Sequence, residues 1–325
     1  MSERGSHVTT HATTFDTAPH EPIASAILRG LCEMPKTLPA ALFYDARGAA
    51  LFEQISDLPE YYLTRTDTAI LQQSASVLAE LIGPRAVLIE PGSGAATKVR
   101  PLLAALHSPL AYVPVDVSRE QLMAVAAERA AEFPGIQVMP VWADYTDGIT
   151  APSLPDDARR VVFFPGSTIG NLQPDEAIEF LHQMRELAGD TGGMILGVDR
   201  RKDVPTLHAA YNDSAGVTAA FNLNMLTHLN REFGGTFDLA HFRHRAFFNE
   251  SESRIEMHLV SGVAQSVVVL HETIHFAEGE SIRTEVSYKY DDALLETVTG
   301  EGGWRVSQRF TDDDDRFWVC WLEPM

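Results

Sequence analysis

Cysteine is almost missing from this chain: Cys32 and Cys320 stand far apart and outside any paired motif. That excludes a disulfide framework and makes the reducing cytoplasm the expected compartment. Basic residues are scarce as well, 25 Lys and Arg against 45 Asp and Glu, for a formal net charge of -20. Such a chain repels polyphosphate backbones and anionic bilayer surfaces, so neither nucleic acid nor membrane is an expected partner. No apolar run approaches the length of a membrane span. Residues 1–20, rich in Thr and His, lack the apolar core of a signal peptide and read as a mobile polar tail. The pairs His241/His244 and His271/His275 have no cysteine or acid to complete a ligand set, so no metal is expected. Asp312–Asp315 lacks the glycine and terminal glutamate of a calcium loop and reads as a solvated turn. Internal repeats are absent too.

What is present is a soluble globular composition, 45% apolar and 22% charged, with ample material for one large domain or two ordinary ones. From Thr66 to Asp199 apolar runs alternate with amphipathic stretches, the pattern of βαβ units around a parallel sheet. A helical face over 66–83 ends at Gly83-Pro84, and strands are predicted at 86–90, 111–116, 136–142, 160–165 and 194–199. The helix after the first strand is predicted to run to about His107. Ser118-Arg119-Glu120-Gln121 reads as a capping box. Pro174 opens a helix that Gly189 closes. Residues 200–235 look helical, 243–290 read as strands, and Trp304–Phe310 with Phe317–Leu322 flank an acidic turn as a hairpin. A doubly wound sheet finished by an antiparallel hairpin is the class I methyltransferase variant of the α/β architecture, not the dehydrogenase one.

The segment Val87-Leu88-Ile89-Glu90-Pro91-Gly92-Ser93-Gly94 runs from an apolar strand through an acid into a glycine-spaced turn. Asp116 closes the next apolar run and Asp144 the one after. Glycines there let backbone N–H groups approach a nucleotide, and the next acid can accept from ribose hydroxyls. Two details favour S-adenosylmethionine over a dinucleotide. Glu90 would repel a pyrophosphate but favours a sulfonium, and Thr97 stands where a pyrophosphate binder wants a third small residue. Asp144-Tyr145 suits the amine and face of adenine.

Phe43-Tyr44-Asp45, Leu58-Pro59-Glu60-Tyr61-Tyr62, Gly166-Ser167-Thr168-Ile169-Gly170-Asn171, Gly216-Val217-Thr218-Ala219-Ala220-Phe221-Asn222, Arg254-Ile255-Glu256-Met257 and Thr284-Glu285-Val286-Ser287 occur in that order. From about residue 25 onward the chain thereby resembles the S-adenosylmethionine-dependent histidine Nα-methyltransferases of ergothioneine biosynthesis. The resemblance implies a cofactor-binding domain of 62–199 and 287–325 and a smaller substrate-binding domain of 21–61 and 200–286. It implies cofactor contacts at Gly92, Lys98, Asp116, Asp144 and Tyr145, to which the reading of the turn adds Glu90 and Gly94. Tyr61, Asn171 and Tyr211 would hold the amino and carboxylate groups of histidine. Glu285 and Ser287 would grip its imidazole, Met257 would line the pocket, and Tyr44 would lie beside the reacting nitrogen. Tyr44, Tyr61 and Asn171 form the catalytic set. Tyr62 reads as core. Pro91 removes one backbone donor beside the turn, and Tyr288 bears on pocket volume.

The residue types agree with that chemistry. A site selective for imidazole needs two hydrogen-bonding groups converging on one ring, and two positions two apart on a strand share a face. The implied reaction is triple methylation of L-histidine to hercynine, by a cytoplasmic enzyme expected to be a monomer with S-adenosylmethionine as co-substrate and no metal. The alternatives are an Nα-methyltransferase of another or partly methylated amino acid, a non-catalytic ligand-binding relative, and a dinucleotide oxidoreductase.

Overall fold

The computed structural model describes residues 23–150, 152–155 and 157–325. The tail read at residues 1–20, and the first two residues of the 21–61 segment, lie outside the described residues.

The chain begins with α1 (Ile23–Cys32), the short β1 (Lys36–Thr37) and α2 (Ala46–Ser56). Next comes α3 (Tyr62–Ile82), which buries Leu63, Ile70, Leu71 and Leu78 at helical spacing and stops at Gly83, φ 75°. The helix starts one turn before the predicted residue 66. The βαβ series follows: β2 (Ala86–Pro91), α4 (Arg100–Ala105), β3 (Ala111–Asp116), α5 (Arg119–Glu132), β4 (Gln137–Val138), β5 (Val141–Trp142), β6 (Arg159–Phe164), α6 (Pro174–Ala188) and β7 (Gly193–Asp199). Gly189 closes α6 at φ 71°, as its position predicted.

Three expectations are corrected. The strand predicted over 136–142 is two short pieces, β4 and β5, because Met139-Pro140 interrupts it and Pro140 has no N–H for a ladder. The helix α4 ends at Ala105, short of His107. Ser118 makes no side-chain capping bond; its N–H donates to Asp116 Oδ1 instead, and the capping box forms at Gln173 with Glu176.

The main sheet has the order β13-β14-β7-β6-β2-β3-β4, β5 also pairing with β3, where β13 is Trp304–Thr311 and β14 is Phe317–Pro324. Strands β7, β6, β2, β3 and β4 are parallel; β14 and β13 form the expected antiparallel hairpin against β7. From β2 the chain winds outward through β3 and then returns to β6 on the other side. The order therefore reverses at β2, and the crevice over its carboxyl end is where a doubly wound sheet binds ligands. Val87 and Ile89 pack into one core, Ala86 and Leu88 into the core on the opposite face.

A second sheet is built from later residues. After α7 (Val204–Tyr211) and α8 (Val217–Glu232) come β8 (Phe242–Asn249), β9 (Arg254–Ser261), the hairpin β10 (Gln265–Val269) and β11 (Glu272–Phe276), then β12 (Ser281–Tyr288) and α9 (Asp292–Glu301). The order is β1-β12-β9-β8. Its core gathers Ile27, Leu31, Phe221, Met225, Met257, Leu259 and Ile282. Val286 and Tyr288 belong instead to the core of the main sheet, so one strand serves both.

That double service depends on a bulge. Ile282 pairs with Leu259 and Arg283 with His258, but the register slips and Glu285 pairs with Met257, Ser287 with Ile255. Thr284 is the extra residue, its hydroxyl bonded to Met257 O at 3.1 Å. Before the slip the even position faces the second core; after it the odd positions do.

Candidate functional site

The first half of the site lies at the carboxyl edge of the main sheet. Gly92 (φ 64°) and Gly94 (φ 51°) make the turn after β2. A Cβ on Gly92 would stand 3.0 Å from Tyr145 Cε1, so only glycine admits that ring beside the turn. Asp116 ties the edge together: Oδ2 accepts from Gly94 N–H at 2.8 Å and Oδ1 from Ser118 N–H at 2.9 Å. Each oxygen retains a lone pair for a further donor. Asp144 caps the 3₁₀ turn Tyr145–Asp147 by accepting from Thr146 N–H, and Tyr145 stacks edge-on against Phe164 and Phe180.

Glu90 is buried, 3% exposed, and accepts from the Tyr112 hydroxyl. Burial pushes its carboxyl up to about 8, while Tyr112 and Lys98 pull the other way. An acid so placed is held protonated near neutrality unless a cation lies close by, which would restore its charge. Lys98 pairs with Asp67 at 2.9 Å, and the same carboxylate oxygen accepts from Gly166 N–H at 2.8 Å. The glycine cradle, the bound Asp116 and the buried acid fit the nucleoside and the cationic sulfonium of S-adenosylmethionine. Among the described residues no group of three or more His, Cys, Asp or Glu is placed to hold a metal.

The second half comes from the other sheet and its helices. Tyr211 ends α7 and its hydroxyl bonds to Ser287 Oγ at 3.0 Å. Tyr61 precedes α3 and sets its ring edge-on to Tyr211, centroids 6.2 Å apart, and to Phe52. Tyr44 follows a 3₁₀ turn, Ala40–Phe43, and meets Phe52 and Phe221 edge-on. It keeps 49% of its surface exposed, yet enough protein surrounds its hydroxyl for burial to push that group upward. Glu285, Tyr145 and Asp116, from both halves, add to the shift. Burial likewise raises the hydroxyls of Tyr61 and Tyr211, with Glu285 adding to each. All three phenols therefore remain neutral, and each feels the charge of Glu285. Burial raises Glu285 itself to about 7, with Lys289 pulling it back.

Met257 is buried directly across from Glu285. Asn171 ends the 3₁₀ turn Thr168–Asn171, which packs on β12 through Gly170. A Cβ on Gly170 would stand 2.9 Å from Tyr288 O and 3.3 Å from Tyr288 N. Gly170→Ala is accordingly expected to push the turn off the strand. If Asn171 acts as the sequence resemblance implies, steady-state kinetics should show kcat/KM down at least about tenfold, because near-attack geometry is lost with small displacements. Affinity for S-adenosylhomocysteine should hold within about threefold; an unchanged kcat/KM would mean that the turn does not position Asn171.

Sequence reasoning missed the charged groups beneath these residues. Asp199 accepts from the Tyr62 hydroxyl and pairs with Lys289 (2.8 Å) and Lys202. Burial alone would raise Asp199, but the two ammonium groups outweigh it and hold its carboxyl low. Burial lowers Lys202 to about 8 against the pull of Asp199. Tyr62, read as core, is buried and is also a partner of this carboxylate. The signals were there: Asp199 closes an apolar strand as Asp116 does, Lys289 continues the odd-position face of Glu285 and Ser287, and Asp67 lies on the apolar face of α3.

Residues 23–324 match the family model described as histidine-specific methyltransferase, SAM-dependent. The chain is 40% identical over 297 residues to a histidine N-alpha-methyltransferase of Mycolicibacterium smegmatis, covering 90% of this chain and 92% of that one. A Mycobacterium tuberculosis protein of the same name is 37% identical over 92% of this chain and 94% of its own. Ergothioneine biosynthesis protein 1 of Neurospora crassa is 32% identical over 69% of this chain and 28% of its own length. Among solved structures, the CcbJ methyltransferase of Streptomyces caelestis aligns over 79% of this chain and 96% of its own, at 16% identity and a TM-score of 0.47.

Proposed function

Because the chain belongs to the S-adenosylmethionine-dependent, histidine-specific methyltransferase family, we propose that it methylates the α-nitrogen of L-histidine three times, giving the betaine hercynine. Histidine Nα-methylation is the enzyme's activity; three rounds and that product are the finer reading. The observation that supports it most is the pairing of Glu285 and Ser287 on one face of β12, ringed by three neutral phenols. In this reading segments 21–61 and 200–286 form the substrate lobe, and 62–199 with 287–325 the cofactor lobe.

S-adenosylmethionine, held by Gly92, Gly94, Lys98, Asp116, Asp144 and Tyr145 beside Glu90, supplies the methyl group. Glu285 accepts from one ring nitrogen and Ser287 bonds the other, so an amino acid without ring nitrogens leaves the carboxylate and the Ser287 hydrogen without these partners. Tyr61, Asn171 and Tyr211 hold the amino and carboxylate groups, and Tyr44 lies near the reacting nitrogen. An α-amino group is mostly protonated near neutrality, with a model value of about 8, and enclosure by neutral phenols favours its uncharged form. Because Tyr44, Tyr61 and Asn171 bring no fixed charge, they orient the lone pair in each round without trapping the quaternary cation formed last. Incubation with S-adenosylmethionine and each amino acid, read by mass spectrometry, is expected to show one, two and three added methyl groups on histidine. Preference for tryptophan or tyrosine would sink the substrate assignment; a halt at one or two groups would sink hercynine.

A further inference from the structure

Lys289 is fully buried and touches three groups. Its Nζ lies 2.8 Å from Asp199 Oδ2, 3.0 Å from Tyr211 Oη and 2.9 Å from Ser287 Oγ. An ammonium has three protons and no acceptor, so every one of its donors is committed. Asp199, itself buried and bonded by Tyr62 and Lys202, cannot swing away.

The consequence falls on Ser287. Its oxygen has two lone pairs and one hydrogen. One lone pair accepts from Lys289 and the other from the Tyr211 hydroxyl, 3.0 Å away. Between those two hydroxyls the phenol is the stronger acid and therefore the donor, and its own oxygen already accepts from Lys289. The Ser287 hydrogen has one direction left, away from both partners and on the face of β12 that bears Glu285.

We propose that Lys289 is a positioning residue for substrate selection: it locks Ser287 as a donor toward the ring, so that the pocket takes a ring with an unprotonated nitrogen as well as an N–H. This rests on the reading of Glu285 and Ser287 as the imidazole site. Glu285 faces the N–H, and Ser287 meets the lone pair of the other nitrogen. A fully protonated imidazolium has no such lone pair, and neither does a pyrrole.

The test is a cycle of Lys289→Met, Ser287→Ala and the double variant, with histidine as varied substrate. Lys289→Met is expected to raise KM about tenfold, with the effect on KM rather than kcat, as expected for a misdirected neutral hydrogen bond. In the Ser287→Ala background the same change should add less than about twofold, because the group it directs is gone. KM increases that multiply, or an unchanged KM in Lys289→Met, would overturn the proposal; a merely structural lysine multiplies. Should Lys289→Met fail to fold, the unaltered enzyme decides. A pyrrolylalanine, with its N–H and no acceptor nitrogen, is expected to be used at least about tenfold less well than histidine. Use within about twofold would overturn the lock. No histidine methylation by the unaltered enzyme would overturn the substrate reading and the proposal together. Methylation with multiplying KM values would remove only the role of Lys289.

Discussion

Glu285→Ala is expected to raise the KM for histidine about a hundredfold while S-adenosylhomocysteine affinity stays within about threefold. A hydrogen bond to a charged acceptor contributes about 1.5–3 kcal/mol, and removing it leaves the ring N–H unpaired in an enclosed site. The proposed cofactor contacts lie on the edge of the other sheet, so their geometry should survive. Glu285→Gln adds a pH readout. Burial raises the carboxyl from 4.5 to about 7, and only its ionised form accepts from a ring N–H without a competing proton. Histidine affinity, measured calorimetrically with S-adenosylhomocysteine present, should therefore fall as pH drops through about 7. The glutamine variant should lose that component and keep only the titration of the ring, near 6.5. Equal loss of histidine and S-adenosylhomocysteine binding in Glu285→Ala would make Glu285 a structural residue.

Glu90→Gln should move stability and cofactor binding in opposite directions. Gln keeps an acceptor for the Tyr112 hydroxyl but removes an acid whose carboxyl burial raises from 4.5 to about 8. The folded protein holds this proton over a range where the unfolded chain has lost it. Stability therefore declines as pH rises from about 4.5 to about 8 and then levels. Relative to the unaltered enzyme, the variant should be more stable by a few kcal/mol above pH 8, and the difference should vanish near pH 4.5. Against that gain, loss of the charge that a bound sulfonium is proposed to draw out of Glu90 should weaken S-adenosylmethionine binding at least about tenfold. Thermal melts at the two ends of that pH range and titration with S-adenosylmethionine check both halves. A stability difference independent of pH, or unchanged cofactor affinity, would contradict the role given to Glu90.

The carboxyl edge of the main sheet was legible because its signals are local. Apolar runs leading to Glu90, Asp116 and Asp144, with Gly92 and Gly94 between, declare strands and their buried faces within a few residues of chain. Where local signals misled, a competing local signal had overruled them. Ser118 looked like a capping serine, but Asp116 took its N–H. Residues 136–142 looked like one strand, but Pro140 broke the ladder.

By itself the sequence determined a doubly wound sheet, the crevice above β2 and the order of motifs that identifies the family, since period and strand-end chemistry suffice for these. Only the tertiary structure decided which side chains meet around Glu285 and Ser287. The Thr284 bulge turns Glu285 and Ser287 toward Tyr211 while Val286 and Tyr288 go to the other core, and a one-residue slip exchanges those faces. Gly170 brings Asn171 against the same strand. Beneath them Asp199 and Lys289, 90 positions apart in the numbering, share a 2.8 Å contact. Such pairings bring together the ends of strands and the turns beside them from two different sheets, and the energy that holds a buried charge in place exists only once both are assembled around it.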